Sequence, residues 1–159
     1  MQFRRFLENF YTEIVKVQTL VKEAPICEKI ADNIKVLRIL TKFPWPLTDR
    51  VMMNIEYLRI NEEANELFWI SSGRGNEEFE ERYITGPFKK YVLAKTTISG
   101  YLVRPEFDSA GNVVGSRVDY CSSVDLAGNL PVSLINSRLP LSAVDNIQGV
   151  VDYILKQQK

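Results

Sequence analysis

Any chemistry in this 159-residue chain must be built without histidine, because the sequence has none. That removes Ser-His-Asp and Cys-His nucleophilic catalysis, imidazole metal ligation and the usual general base at neutral pH. Cys27 and Cys121 are far apart and belong to no metal-ligand spacing, so they read as reduced thiols. Gly73-Arg74-Gly75 matches neither nucleotide-binding glycine fingerprint. Glu77, Glu78, Glu80 and Glu81 crowd a polar stretch, where solvated carboxylates are expected rather than a tuned acid and base. The remaining charge of interest is Arg50, which follows a proline-flanked tryptophan at the start of a strand. It reads either as a structural ion-pair partner or as a polar anchor inside a mostly apolar pocket. No cofactor and no metal are expected.

Composition narrows the partners. The length predicts one domain, 1–159, large enough to bury a core. Twenty basic and 20 acidic residues cancel, so no global field recruits nucleic acid or an anionic membrane. A hydrophobic share of 45% is ordinary, but 8 Phe, 7 Tyr and 2 Trp suffice to line a pocket as well as fill a core. No stretch reaches the roughly 20 apolar residues that span a bilayer, and no early run resembles a signal peptide. These features predict a soluble, cytoplasmic chain.

The elements that must position such a pocket follow from periodicity. Phe3, Phe6, Leu7 and Phe10 predict a short amphipathic helix over residues 2–12. Alternation at Val15, Val17, Thr19 and Val21 predicts a strand ending before Pro25, and 34–41 a second. Residues 51–60 and 65–71 predict a hairpin around Asn61-Glu62-Glu63-Ala64, and 72–86 reads as an acidic loop. Residues 88–94, 96–104 and 113–124 read as strands, the last two joined through Asp108-Ser109-Ala110-Gly111-Asn112. Pro131 can open a short helical segment to about Asn136. A second helix follows, with Ser142 as N-cap and Asp145 three residues on. Ala143, Ile147, Val150, Val151, Ile154 and Leu155 share its inward face, which leaves Gly149 outward with no evident reason for a glycine. Sequential strands with short connections predict an antiparallel meander and an α+β domain.

Three segments carry a family resemblance. Phe43-Pro44-Trp45-Pro46-Leu47-Thr48-Asp49-Arg50 resembles the "fPWPlsdRD" segment of START domains, the StAR-related lipid-transfer modules of the helix-grip, Bet v 1-like superfamily. Gly100-Tyr101-Leu102-Val103-Arg104-Pro105 resembles the family's "sGylirP" strand. The run from Val124-Asp125-Leu126-Ala127-Gly128-Asn129 through Leu130-Pro131-Val132-Ser133-Leu134-Ile135-Asn136 resembles "vDpgGslPkwlvN", ahead of the last helix. The resemblance implies a helix-grip fold: a strongly curved antiparallel sheet wrapped around a long C-terminal helix, with one lipid held between them. It implies a membrane-facing lid made by that helix and nearby loops, and an arginine at the position of Arg50 that points into the cavity. One departure is Val51, where the family usually has aspartate. Another is extent: an N-terminal helix and the first two or three strands have no counterpart. That implies a shortened chain, a sheet completed by a partner through its open edge, or a smaller cavity walled by Phe3, Phe6 and Phe10.

The expected function is non-catalytic binding and intermembrane transfer of one lipid, a sterol, phospholipid or ceramide-like molecule. Its expected lining is Arg50, Asn54, Trp69, Tyr101, Tyr120 and the helix positions Ile147, Val151 and Ile154. A protein-interaction module with a collapsed pocket, or an enzyme of the wider superfamily using Tyr, Asp or Glu, are the alternatives. Expected partners are the lipid, a transient membrane surface and, through an open edge, a second copy. The lining of strand 50–60 stays open, because a one-residue slip exchanges Arg50, Asn54 and Glu56 for Val51, Met53, Ile55 and Tyr57.

Overall fold

The computed structural model describes residues 15–17, 20–43 and 45–156, with side chains at all of these except 134–143 and 154. The helix expected over 2–12 lies outside the described residues. A helical turn at 15–17 leads into eight strands: β1 (Val21–Glu23), β2 (Ile26–Ala31), β3 (Ile34–Thr41), β4 (Arg50–Asn61), β5 (Glu66–Ser72), β6 (Val92–Leu93), β7 (Lys95–Phe107) and β8 (Val113–Asp125). Between β5 and β6 lie helix α1 (Glu77–Tyr83) and a 3-10 turn, Gly86–Lys90; helix α2 (Val132–Lys156) ends the described chain.

One curled sheet contains all eight strands, in the order β1-β3-β4-β5-β7-β8, with β2 also on β3 and β6 parallel to the start of β4. The other pairings are antiparallel. The expected α+β helix-grip architecture is the one observed: α2 sets Ile147, Val150 and Tyr153 against Leu37, Ile39, Trp69, Tyr101 and Val103 on the inner face.

The alternating pattern of β3 and β4 is obscured because both faces are covered. Leu37 and Ile39 join the inner core, whereas Val36, Val51, Met53 and Ala94 are buried on or beside the outer face. The connection through α1 supplies the outer cover. Asn76 donates to the Met53 carbonyl, the Arg38 guanidinium lies 3.6 Å from the Phe88 ring centroid, and Arg82 pairs with Glu28 at 2.8 Å.

Several local expectations are corrected. Residues 15–17 are helical, and the strand there is confined to β1, whose pairing with β3 begins at Val21 opposite Thr41. The acidic stretch is a helix: Glu77, Glu78 and Glu80 favour its positive N-terminal end and Arg82 its last turn. Of the strand expected over 88–94 only β6 forms, because residues 88–90 complete the 3-10 turn, where Pro87 removes an N–H. Ser142 is not at a helix start, because α2 runs unbroken through it and through Pro140. Gly149 does face a neighbour: a Cβ there would come 2.8 Å from the Val17 carbonyl oxygen, so the helix is glycine where another backbone touches it.

Candidate functional site

Antiparallel pairing sets residues of neighbouring strands side by side, so the inner face is ordered in rows. Leu58, Trp69, Tyr101 and Tyr120 form one row across β4, β5, β7 and β8. Its rings are in contact, with centroids 5.5 Å apart for Trp69 and Tyr101 and 4.7 Å for the stacked Tyr101 and Tyr120. Burial, with the Tyr120 phenol nearby, pushes the Tyr101 hydroxyl pKa up, so the phenol stays neutral. Ile60, Leu67, Val103 and Val118 form the apolar row on one side.

The row on the other side is polar. Lys35 opposes Glu56, Glu56 opposes Ser71, Ser71 opposes Ser99, and Ser99 opposes Ser122. Its middle is dry: Glu56 is 0% exposed and Ser71 1%. Trp69 Nε1 donates to Glu56 Oε2 at 3.2 Å and the Ser71 hydroxyl to Glu56 Oε1 at 3.4 Å. Asn54, on the same face of β4, donates its amide N–H to Ser71 Oγ at 2.8 Å. Loss of water dominates the Glu56 carboxyl and pushes its pKa up to about 8; the Trp69 and Ser71 donors and the Lys35 charge oppose that rise without cancelling it. Glu56 is therefore largely a neutral acid at pH 7, able both to donate and to accept.

Arg50 has a different place. Its Nε donates to the Leu126 carbonyl at 3.2 Å, Nη2 to Ala127 at 3.4 Å and Nη1 to Thr48, and its guanidinium carbon lies 4.5 Å from the Phe43 ring centroid. The planar fork thus ties the turn after β8 to the start of β4. That turn holds Ala127 and Gly128 in left-handed conformation, at φ 51° and 72°. The buried guanidinium is tied down by carbonyls, and among the described residues no carboxylate is hydrogen-bonded to it.

Of the residues expected to line a pocket, Asn54, Trp69, Tyr101, Tyr120 and Ile147 come together on the inner face. Val151 does not: it is 37% exposed, and Val150 takes the inward position that a 100° step per residue denies to its neighbour. The Ile154 side chain lies outside those described. Glu56 is the residue missing from the expected set. Its even-numbered parity with Asn54, Leu58 and Ile60 was the available signal, and only the register with β5 places it beside Trp69 and Ser71.

A START domain profile matches residues 18–159, and the chain belongs to that family, one of lipid-binding and lipid-transfer domains. Among solved structures the fold is similar to human STARD10 (17% identity, TM-score 0.71), covering 99% of this chain and 60% of that one. It is also similar to human StAR-related lipid transfer protein 5 (16% identity, TM-score 0.73), covering 92% and 65% of the two chains. For the lipid transfer and protein localization domain of human StarD13 the identity is 17% and the TM-score 0.70, covering 92% and 70%. The chain thus spans 60–65% of the length of the first two. No curated protein matches it by sequence.

Proposed function

We propose that residues 1–159 act as one domain that binds a single lipid between the curled sheet and α2 and carries it between membranes without covalent chemistry. The observation that carries this reading is the inner face itself, where an apolar and aromatic surface of Leu58, Trp69, Tyr101, Tyr120, Val103 and Ile147 lies beside one short polar row. Affinity then comes from apolar area, at about 25 cal/mol per Å² removed from water, while the polar row sets the orientation of the headgroup. Among the described residues no helix is long and apolar enough to cross a membrane, in keeping with transient contact at a membrane surface and a cytoplasmic carrier. Nucleic acid is not among the partners we propose, given the balanced charge.

Lipid extraction from the purified chain, with native mass spectrometry, tests the reading. One lipid per chain is the expected result. Ile147→Glu places a charge in the inner core and is expected to abolish loading, whereas Gln148→Glu on the exposed side of α2 leaves it intact. Equal loading of both variants would exclude α2 as the cover of the site. A ligand-free dimer would favour an interaction module pairing through a sheet edge.

A further inference from the structure

We propose that Glu56 selects the lipid by its polar end, taking neutral lipids that carry a hydroxyl or amide N–H and rejecting phosphodiester headgroups. This rests on the lipid-binding reading above and gives that site a ligand class.

The donors of the buried cluster are directed inward. Trp69 Nε1 and the Ser71 hydroxyl both serve Glu56, and Asn54 serves Ser71. What the cluster still offers a newcomer is the carboxyl, with spare lone pairs and, in its protonated form, one O–H, together with the buried Asn54 Oδ1, an acceptor with no hydrogen-bond partner among the described residues. A hydroxyl or an amide N–H, which brings a donor of its own, complements that set. A phosphodiester brings a negative charge and acceptors alone, and would have to shed its water beside an acid in a dry site. Lys35, the cation of the row, lies beyond Glu56 at the end away from Ser122 and is half-buried, and burial lowers its pKa. A choline group is no better matched, since it has no N–H to donate and would call for an ionised carboxylate where burial favours the acid.

The row also has a direction. Ser122 is exposed, Ser99 half-buried, Ser71 and Glu56 buried, so polarity continues from solvent at β8 to the acid on β4. A lipid hydroxyl moving inward meets hydroxyl partners along the way, while the chain or ring system lies on the aromatic row beside it. The carboxyl stands where this path ends.

The test uses the full 159-residue chain incubated with phosphatidylcholine vesicles doped with labelled cholesterol, diacylglycerol or ceramide, and with labelled phosphatidylcholine itself; protein-bound label is counted after re-isolation. The wild type is expected to load at least one of the three neutral lipids about tenfold over phosphatidylcholine. Glu56→Gln, whose amide donates and accepts, is expected to keep that preference, and Glu56→Leu to bring the two classes within about twofold while still loading lipid. If circular dichroism shows that Glu56→Leu does not fold, Glu56→Asp, which withdraws the acid by one methylene, replaces it with the same expected loss. A wild type that favours phosphatidylcholine, or a leucine variant that keeps the preference, overturns the assignment of Glu56 and leaves the lipid reading standing. Loading of none of the four lipids overturns the lipid reading itself.

Discussion

Glu56 couples folding to pH in the direction opposite to most carboxylates. Its folded pKa of about 8 lies above the ordinary 4.5, so the native state holds a proton that the unfolded chain has released between those values. Stability from this group is complete below about pH 4.5 and falls as pH rises toward 8, by up to about 1.4 kcal/mol per pH unit. The surface aspartates work the other way. Lys22 and the Phe43 N–H depress Asp49, Arg104 depresses Asp119, and their stabilisation is lost only below pH 4. Urea melts at intervals from pH 5 to 8 should therefore show stability declining with pH, and Glu56→Gln should flatten that decline. A wild-type profile that is flat or rises across this window would sink the claim that Glu56 is buried as an acid. At this scale the sequence was a partial guide. Trp69, Tyr101 and Tyr120 were recognisable as inner-face residues because they are large, apolar and on strands, whereas a glutamate on a strand is ordinarily a solvent-face residue, and nothing local distinguishes one that the fold has taken inside.

Arg50 and Gly149 each join one element of the fold to another. Arg50→Lys keeps the charge but loses the fork that reaches the carbonyls of Thr48, Leu126 and Ala127, so at least one partly buried acceptor is left without its donor. The expected cost is about 1–3 kcal/mol in denaturant unfolding, with the preference among lipids unchanged. A variant of full stability and altered preference would instead return Arg50 to the ligand. Gly149→Ala sets two effects against each other. Alanine gains about 1 kcal/mol of helix propensity, but its methyl would meet the Val17 carbonyl at 2.8 Å, and two backbones must separate. The clash wins, and a net destabilisation of about 1–3 kcal/mol is expected; a stabilised variant would mean that the 15–17 turn does not rest on α2 in solution. The same pair explains what could be read of the elements. The Trp45-Pro46-Leu47 stretch and the turn after β8, with Ala127 and Gly128 at positive φ, carried fixed local geometry and were legible, but a glycine chosen for a neighbour 132 positions away in sequence was not. The α1 helix was hidden for a related reason: its seven residues show a charge pattern that suits either a helix or a solvated loop, and its docking onto Arg38 and Met53 decides between them.

At the scale of the molecule, the curled sheet and its long C-terminal helix were legible because they depend on the order and spacing of whole strands, which survives errors of one or two residues at each boundary. Burial on both sides of β3 and β4 was not, since it depends on where the connection through α1 folds back. Balanced charge is a property of this scale too, and under the proposed carrier function it would govern how the chain meets a membrane. With 20 cations against 20 anions, no net field steers the chain toward an anionic surface. Local pairing reinforces the cancellation: Lys22 with Asp49, Arg82 with Glu28 and Glu78, and Lys95 with Glu77 each neutralise a charge on the spot. Lipid transfer between vesicles should therefore depend weakly on membrane charge. Replacing about a fifth of the phosphatidylcholine in acceptor vesicles by phosphatidylserine should change the transfer rate by less than about twofold, and raising salt from 50 to 500 mM, which shortens the screening length from roughly 14 to 4 Å, should change it as little. A rate that climbs severalfold on anionic vesicles and collapses in salt would mean that a local cationic patch, not the balanced whole, makes the membrane contact.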